Sequence, residues 1–208
     1  DMHTNGPTKT PGQTWLQRHN VDNIPYATRY SYDGKELVRK PCLTDPKFLT
    51  SHLEGLTKTG AELAPYGPRA YTLGDECFLA RDGVDVCFSP SCTADLREWL
   101  KTQYPNVAAL NASWGTSYQS MDEAEPITLA DARKLNQPAR WVDHRRHMEF
   151  VYARMMERAS QAIRQGDPQA EVGFDGPFST DSCSGNDWWQ LMRAFTMCNV
   201  YFHQPTQW

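Results

Sequence analysis

The apolar positions of this chain form two kinds of pattern, stripes at helical spacing and short continuous runs. The stripes predict helices at residues 45–64, 93–104, 139–165 and 188–195. The continuous runs are bounded by Gly, Pro and polar residues, and they predict buried strands at residues 70–74, 170–174 and 199–203. Thr93 is expected to cap the second helix, and Gly166 is typical of the end of the third.

Helices and strands alternate along the chain, which is typical of an α/β protein with a parallel sheet. A closed (β/α)8 TIM barrel needs eight strands in about 250 residues, and only three strands are predicted here. We therefore expect residues 1–208 to be the middle part of a single barrel domain. The alternative is a small doubly wound domain, but no Gly-rich phosphate-binding loop follows any predicted strand.

Composition and charge narrow the class of function. The chain has 208 residues, 39% of them hydrophobic and 22% charged, which is enough for a real core. Its net charge of -4 offers no basic surface for nucleic acid or for an anionic membrane, and no apolar stretch approaches the roughly 18 residues of a membrane span. Because the chain begins at Asp1 without a signal-like segment, we expect an internal piece of a longer protein, and localisation is not predicted.

Two adjacent carboxylates, Asp75 and Glu76, end the first predicted strand. Barrel enzymes place catalytic side chains at strand ends, and acidic groups are rarely buried unless they are paired or functional. Glu76 is therefore a candidate catalytic residue. The alternative is a carboxylate that caps a loop or pairs with an arginine. Neighbours on a strand point to opposite faces, so Asp75 and Glu76 cannot oppose each other across a substrate.

Cysteines supply a second group of candidate residues. Cys87 and Cys92 form a C-x4-C pair in a turn-forming stretch, with Cys77 upstream and Cys42 in a separate loop. Thiolates on such a turn can bind a structural Zn²⁺, which needs four ligands, and Cys77 or an oxygen is the candidate for the fourth. The alternative is free thiols or disulfides, since six cysteines permit three disulfides in an oxidising compartment.

Three segments carry a family resemblance. Residues 110–116 have the form Leu-Asn-x-x-Trp-Gly-Thr, residues 92–104 combine a cysteine with Arg-x-Trp-Leu and a tyrosine, and Cys42 follows Lys-Pro in a loop. Together they resemble the glycoside hydrolase family 42 β-galactosidases, which are retaining enzymes built on a (β/α)8 barrel. The resemblance spans nearly the whole chain and is strongest over residues 71–118.

The family resemblance implies roles for individual residues that the apolar and polar pattern alone does not indicate. Glu76 corresponds to the general acid/base at the end of the fourth barrel strand, so the chain would extend from about the end of strand 3 to strand 6. The family's nucleophile ends strand 7, which is then expected beyond Trp208. Residues 1–208 alone are therefore expected to be inactive, because one carboxylate cannot carry out a double displacement.

The same resemblance implies a structural zinc site made by four cysteines, of which Cys42, Cys87 and Cys92 match three, and no cofactor for catalysis. Departures from the family pattern occur at three positions, where Asp75 replaces an Asn, Ser89 replaces the third cysteine and Gln119 replaces a tryptophan sugar platform.

Polar residues at the predicted strand ends are candidates for binding a glycoside or oligosaccharide substrate, namely Asp75, Asp175, His203, Gln204 and Trp208. Trp114 is expected to pack rather than to stack on a sugar. The charged positions Arg145, Arg146 and His147 are expected to form the solvated face of the long helix.

Other classes of function are left open by the residues themselves. One is a non-catalytic carbohydrate-binding or structural protein on a degenerate barrel, which Asp75 and the missing tryptophan platform would suit. Another is a zinc-stabilised protein with no sugar role. Homo-oligomerisation of the complete protein is also left open.

Overall fold

The structure is a computed structural model that describes residues 10–175 and 183–199. Its helices are α1 (Thr10–Arg18), α2 (Pro46–Leu63), α3 (Pro90–Gln103), α4 (Val107–Trp114), α5 (Leu129–Leu135), α6 (Pro138–Gly166) and α7 (Trp188–Leu191). Its strands are β1 (Tyr71–Asp75), β2 (Val172–Asp175) and β3 (Met197–Asn199). Every predicted helix and strand is present, although α7 is shorter than predicted. β3 begins earlier than predicted, and residues 200–203 of that predicted strand lie outside the described residues.

The three strands form a parallel sheet in the order β1-β2-β3. Tyr71 of β1 pairs with Val172 of β2, and Gly173 pairs with Met197 of β3. Beyond the other edge of β1, Tyr26 forms an isolated parallel bridge with Thr72. Parallel strands separated by helices make an α/β fold, as predicted.

Helix α2 packs on α6, and α6 packs against β1 and β2. Alternate residues of the strands, Tyr71, Leu73 and Phe174, are fully buried in the main apolar core. The Tyr71 hydroxyl donates to Asp167 Oδ2 at 2.8 Å, just past the end of α6. This contact satisfies a polar group inside the core and ties β1 to the helical layer. None of the helices in the described ranges is both long and apolar enough to cross a membrane.

A smaller core lies between α3, α4 and α6. Trp114 is 1% exposed within it and its Nε1 donates to Asp143 Oδ2 at 2.8 Å. Asn111 holds the turn that follows, since its side-chain oxygen accepts from the Thr116 hydroxyl at 2.7 Å and from the Tyr118 backbone N–H at 3.0 Å. The Leu-Asn-x-x-Trp-Gly-Thr segment therefore acts structurally, and Trp114 is a packing residue as expected.

Helix α3 begins earlier than the sequence analysis predicted. Its N-cap is Ser89 rather than Thr93, because Ser89 Oγ accepts a hydrogen bond from the Cys92 backbone N–H at 3.1 Å and Pro90 fills the first helical position. Thr93 lies within the helix and is buried.

The expected solvated face of α6 was wrong for two of its three residues. Arg146 is 57% exposed, but Arg145 and His147 are 3% and 1% exposed in their side chains. Arg145 donates to the carbonyl of Val86 in the segment after β1, and His147 Nε2 lies 2.8 Å from Asp95 Oδ2 of α3. Both contacts join α6 to chain far away in the sequence, which a helical pattern does not reveal.

Candidate active site and thiol cluster

The C-terminal ends of β1 and β2 lie side by side and each carries a carboxylate. Asp75 pairs with Asp175, whereas Thr72 pairs with Gly173, so three steps along β1 match two along β2. Such a bulge interrupts the alternation of a strand. Asp75 is thereby placed in register with Asp175 instead of following Leu73 and Phe174 into the core, and both carboxylates share one face of the sheet.

Gly74 makes this bulge possible. Its φ is 129°, a conformation that residues with a side chain rarely adopt. A Cβ at this position would meet Cys77 Sγ and would lie 3.1 Å from the Cα of Arg29. Any larger residue would therefore push β1 away from the loop that passes beside it, and the strand end would move with it.

Glu76 leaves the strand in a left-handed conformation with a φ of 47°. Its backbone N–H donates to the Asp175 carbonyl at 3.2 Å, and its own carbonyl accepts from Ser31 Oγ at 3.1 Å. The residue is partly buried and fastened on two sides, to β2 and to the loop before α2. A side chain that carries out chemistry at a strand end needs such a fixed backbone.

Tyr26 is a further residue of this site, which the sequence analysis did not single out. Burial, followed by the nearby carboxylates Asp75 and Asp175, raises the pKa of its hydroxyl to about 12, whereas Arg29 opposes the rise. The backbone bridge from Tyr26 to Thr72 brings this residue alongside β1, and its hydroxyl is neutral at physiological pH. Its only signal in the sequence is a position in a long loop, and a loop position does not show which strand it will join.

Other predicted site residues cannot be placed. His203, Gln204 and Trp208 lie outside the described residues, as does most of the loop that follows Asp175. Their assignment to the substrate site stays a prediction.

The sulfur atoms of Cys42, Cys87 and Cys92 lie within 4.8 Å of one another. Cys42 comes from the loop before α2, Cys87 from the segment after β1 and Cys92 from the first turn of α3. Cys42 Sγ and Cys92 Sγ are 3.5 Å apart, and no disulfide joins any of the six cysteines, all of which lie in the described ranges. The structure thus brings together the three cysteines that match the zinc ligands of the family.

Hydroxyl groups complete this thiol cluster. Ser89 Oγ, Thr44 Oγ1 and Ser91 Oγ lie 3.0, 3.2 and 3.3 Å from Cys42 Sγ. Hydrogen bonding with Cys87 and Cys92 lowers the pKa of Cys42 below that of an ordinary thiol, whereas hydrogen bonding with Cys42 and Cys87 raises the pKa of Cys92. One thiolate stabilised by its neighbours is the state from which a metal site can assemble.

Cys77 is not part of the cluster, contrary to the prediction that it joins the metal site. Its sulfur accepts from the Tyr30 backbone N–H at 3.3 Å and packs against Gly74. It follows Glu76 directly and turns beneath the bulge, so its thiol faces β1 rather than the start of α3. Burial raises its pKa to about 11, which keeps the thiol neutral.

Arg39 connects the thiol cluster with the strand end, and the sequence analysis did not identify it. The residue is 1% exposed, and its guanidinium donates to the carbonyls of Leu79 at 3.0 Å, Tyr30 at 2.8 Å and Pro41 at 2.5 Å. It therefore ties the chain before Cys42 to the chain after Glu76. All three acceptors are backbone atoms, so no side-chain pattern could have revealed them.

Three thiols that converge from separate segments fit a zinc ion, because thiolates are preferred zinc ligands and structural sites are four-coordinate. Cys42, Cys87 and Cys92 would be the thiolate ligands. The fourth cysteine of the family pattern is absent, and hydroxyl groups occupy its neighbourhood.

Comparisons with known proteins identify the family of this chain. The model of glycoside hydrolase family 42, described as beta-galactosidase, matches residues 7–197. Beta-galactosidase BgaB of Geobacillus sp. (strain Y412MC61) is 26% identical over 178 residues, which are 79% of this chain and 25% of that protein. Beta-galactosidase BgaH of Haloferax lucentense is 26% identical over 193 residues, 85% of this chain and 27% of that protein. The chain thus spans about a quarter of the length of these curated relatives.

Solved structures share the fold at low sequence identity. The beta-galactosidase of the Antarctic haloarchaeon Halorubrum lacusprofundi has a TM-score of 0.70 and 16% identity, covering 90% of this chain and 31% of that one. A family 42 exo-carrageenase from Bacteroides ovatus has a TM-score of 0.69 and 16% identity, covering 95% and 32%. The predicted fold is confirmed as part of a (β/α)8 barrel. Since the family model matches nearly the whole chain, the protein belongs to glycoside hydrolase family 42.

Proposed function

We propose that the complete protein is a retaining glycoside hydrolase that acts on β-galactoside-like or related β-glycosides, with Glu76 as its general acid/base. The observation that carries the proposal is the position of Glu76 in a family 42 chain. It stands at the end of β1, where Asp175 and Ser31 hold its backbone from both sides.

In the first step, the Glu76 carboxylic acid gives its proton to the glycosidic oxygen as the bond to the leaving group breaks. In the second step, the resulting carboxylate takes a proton from the water that attacks the glycosyl-enzyme. The nucleophile must be a second carboxylate roughly 5–5.5 Å away across the sugar. Asp75 is unsuitable because it adjoins Glu76 along the chain. We place the nucleophile at another strand end of the barrel, outside residues 1–208.

Residues around Glu76 would bind the sugar. The partly buried Asp75 would accept hydrogen bonds from sugar hydroxyls, and Asp175, which is 2% exposed in this structure, is retained as a proposed contact beside it. Tyr26 remains neutral at physiological pH because its pKa is about 12. A neutral phenol beside two carboxylates can donate to one of them and accept from a sugar hydroxyl. His203, Gln204 and Trp208 are retained as proposed substrate contacts.

Cys42, Cys87 and Cys92 would hold a structural zinc ion. The bound ion would cross-link the loop before α2 to the start of α3, and it would contribute no step of the reaction. Arg39 extends this cross-link to the chain after Glu76 through its bonds to Leu79 and Tyr30. The zinc site is therefore proposed to stabilise the rim of the active site.

A leaving-group comparison in the complete protein tests the role of Glu76. Glu76→Gln is expected to lower the rate on a disaccharide with a poor leaving group by about 10²–10⁴-fold, because protonation then limits bond cleavage. Formation of the glycosyl-enzyme from a nitrophenyl galactoside should slow much less, since that leaving group hardly needs a proton. Pre-steady-state kinetics measure this step directly.

Glu62→Gln is the matched control, because Glu62 is exposed on α2 and loses the same charge. It should leave both rates unchanged. Equal rates for wild type and Glu76→Gln on both substrates would remove Glu76 from the mechanism. A wild-type protein that binds galactosides without cleaving them would favour the non-catalytic carbohydrate-binding alternative.

A further inference from the structure

We propose that Ser89 supplies the fourth ligand of the zinc site, so that the ion is held by three thiolates and one hydroxyl oxygen. This inference rests on the zinc site proposed above. A tetrahedral ion with Zn–S bonds of about 2.3 Å and a Zn–O bond of about 2.0 Å separates its sulfur ligands by about 3.8 Å and sulfur from oxygen by about 3.5 Å. Cys42 Sγ lies 3.5 Å from Cys92 Sγ and 3.0 Å from Ser89 Oγ.

The hydroxyl groups of Thr44, Ser89 and Ser91 lie beside the thiols, and their hydrogen bonds indicate which of them can bind the ion. Thr44 Oγ1 donates to Cys92 Sγ at 3.2 Å and also reaches Ser91 Oγ at 3.1 Å. Thr44 is thus engaged as a donor to Cys92 Sγ, and Ser91 lies further from Cys42 Sγ than Ser89 does. Ser89 is the closest, it is 5% exposed, and it lies on the same turn as Cys87 and Cys92.

Ser89 can cap α3 and bind the ion at the same time. Its oxygen has two lone pairs, and the Cys92 backbone N–H occupies one of them at 3.1 Å. The other neighbours of this oxygen are Cys42 Sγ at 3.0 Å and Ser91 Oγ at 3.1 Å, so its second lone pair is available to an ion that Cys42 also binds. The cap also fixes the oxygen in place, so the ligand is already positioned before an ion arrives.

This ligand set should hold zinc less tightly than four thiolates. A neutral hydroxyl in place of a thiolate removes one negative charge and one soft donor from the site. Cys42 is also partly exposed, which gives solvent and competing ligands access to the ion. We therefore expect a zinc ion that stabilises the rim of the barrel but exchanges more readily than one in a site of four cysteines.

Metal titration of the complete protein tests the assignment. With a competing chelator, Ser89→Ala should weaken zinc affinity at least about tenfold, and Ser89→Cys should strengthen it at least about tenfold. Ser89→Asp keeps a capping oxygen and should retain binding. With Co²⁺ in place of zinc, the thiolate charge-transfer absorbance should rise in Ser89→Cys in the ratio of four thiolates to three.

A control tests whether the loss of a helix cap elsewhere in the protein changes zinc affinity. Thr128 caps α5 far from the thiols by accepting from the Asp131 N–H at 3.1 Å, so Thr128→Ala should leave zinc affinity unchanged. If Ser89→Ala binds zinc as tightly as wild type with the same Co²⁺ spectrum, water is the fourth ligand and the inference is overturned while the zinc site stands. If neither wild type nor Ser89→Cys binds zinc, both proposals are overturned.

Discussion

The environment of individual polar residues in this chain depends on partners that lie far away in the sequence. Asp95 is the clearest case, since it accepts from His147 Nε2 at 2.8 Å and from Arg154 Nη2 at 2.7 Å. Burial alone raises the pKa of Asp95, but hydrogen bonds from His147 and Arg154 outweigh it and hold that pKa below its usual value. Burial also lowers the pKa of His147, so Arg154 is the lasting positive charge of this group.

Asp95→Asn should therefore destabilise the protein by about 2 kcal/mol at pH 7, because Arg154 and His147 lose a charged acceptor in a partly buried site. A carboxylate whose folded pKa is lowered stabilises the protein above its unfolded pKa, about 4, and loses that contribution as the pH falls through the folded pKa. The difference between variant and wild type should accordingly shrink in acid. Urea unfolding at a series of pH values measures it.

Asp122→Asn serves as the comparison, because Asp122 is 69% exposed in its pair with Lys101 and should hardly change stability. An equal effect of the two substitutions at pH 7 would contradict the role given to Asp95.

At the scale of elements, the end of β1 combines three unusual features within a few residues. A bulge brings Asp75 into register with Asp175, Gly74 has a φ of 129°, and Glu76 has a φ of 47°. Left-handed residues at functional sites are often held in place by their surroundings, as Glu76 is here by β2 and Ser31. The proposed role of Glu76 therefore depends on Gly74 and Asp75, the last two residues of β1, rather than on the buried run before them.

Gly74→Ala tests this dependence. The new Cβ would meet Cys77 Sγ and approach the Arg29 backbone, so unfolding free energy should fall by more than the roughly 1–2 kcal/mol that a left-handed residue costs alone. Turnover in the complete protein should fall together with stability, because the strand end carries Glu76. Thermal unfolding and glycosidase rates measure both effects.

Gly67→Ala is the matched control for Gly74→Ala. Gly67 has a φ of 59° and nothing within 4 Å of a Cβ, so the substitution should cost conformational energy alone and leave turnover unchanged. Equal losses of activity in both variants would show that the bulge does not position Glu76.

At the scale of the whole molecule, the local spacing of apolar residues predicted the helices and strands. The candidate active site and the thiol cluster depend instead on contacts between residues far apart in the sequence. This spacing is informative because residues that face the core recur with the period of the helix or strand that carries them. It could not show that Cys77 turns under β1 while Ser89 reaches the thiols, since both depend on how the chain folds back after Glu76. Arg39 was beyond prediction because its acceptors are backbone carbonyls, two in its own loop and one, from Leu79, in the segment after β1.

Residues 1–208 expressed alone should aggregate and should hydrolyse no glycoside. On α7, Trp189 is 79% exposed, and Met192 beside it is 51% exposed, an apolar surface that favours association. The chain also spans only 25% to 27% of the curated relatives. The double variant Trp189→Gln, Met192→Gln should make the segment more soluble without conferring activity, because it adds no second carboxylate across the sugar. Light scattering and a glycosidase assay measure both properties. A monomeric, cooperatively melting segment that cleaves a galactoside would contradict the expectation.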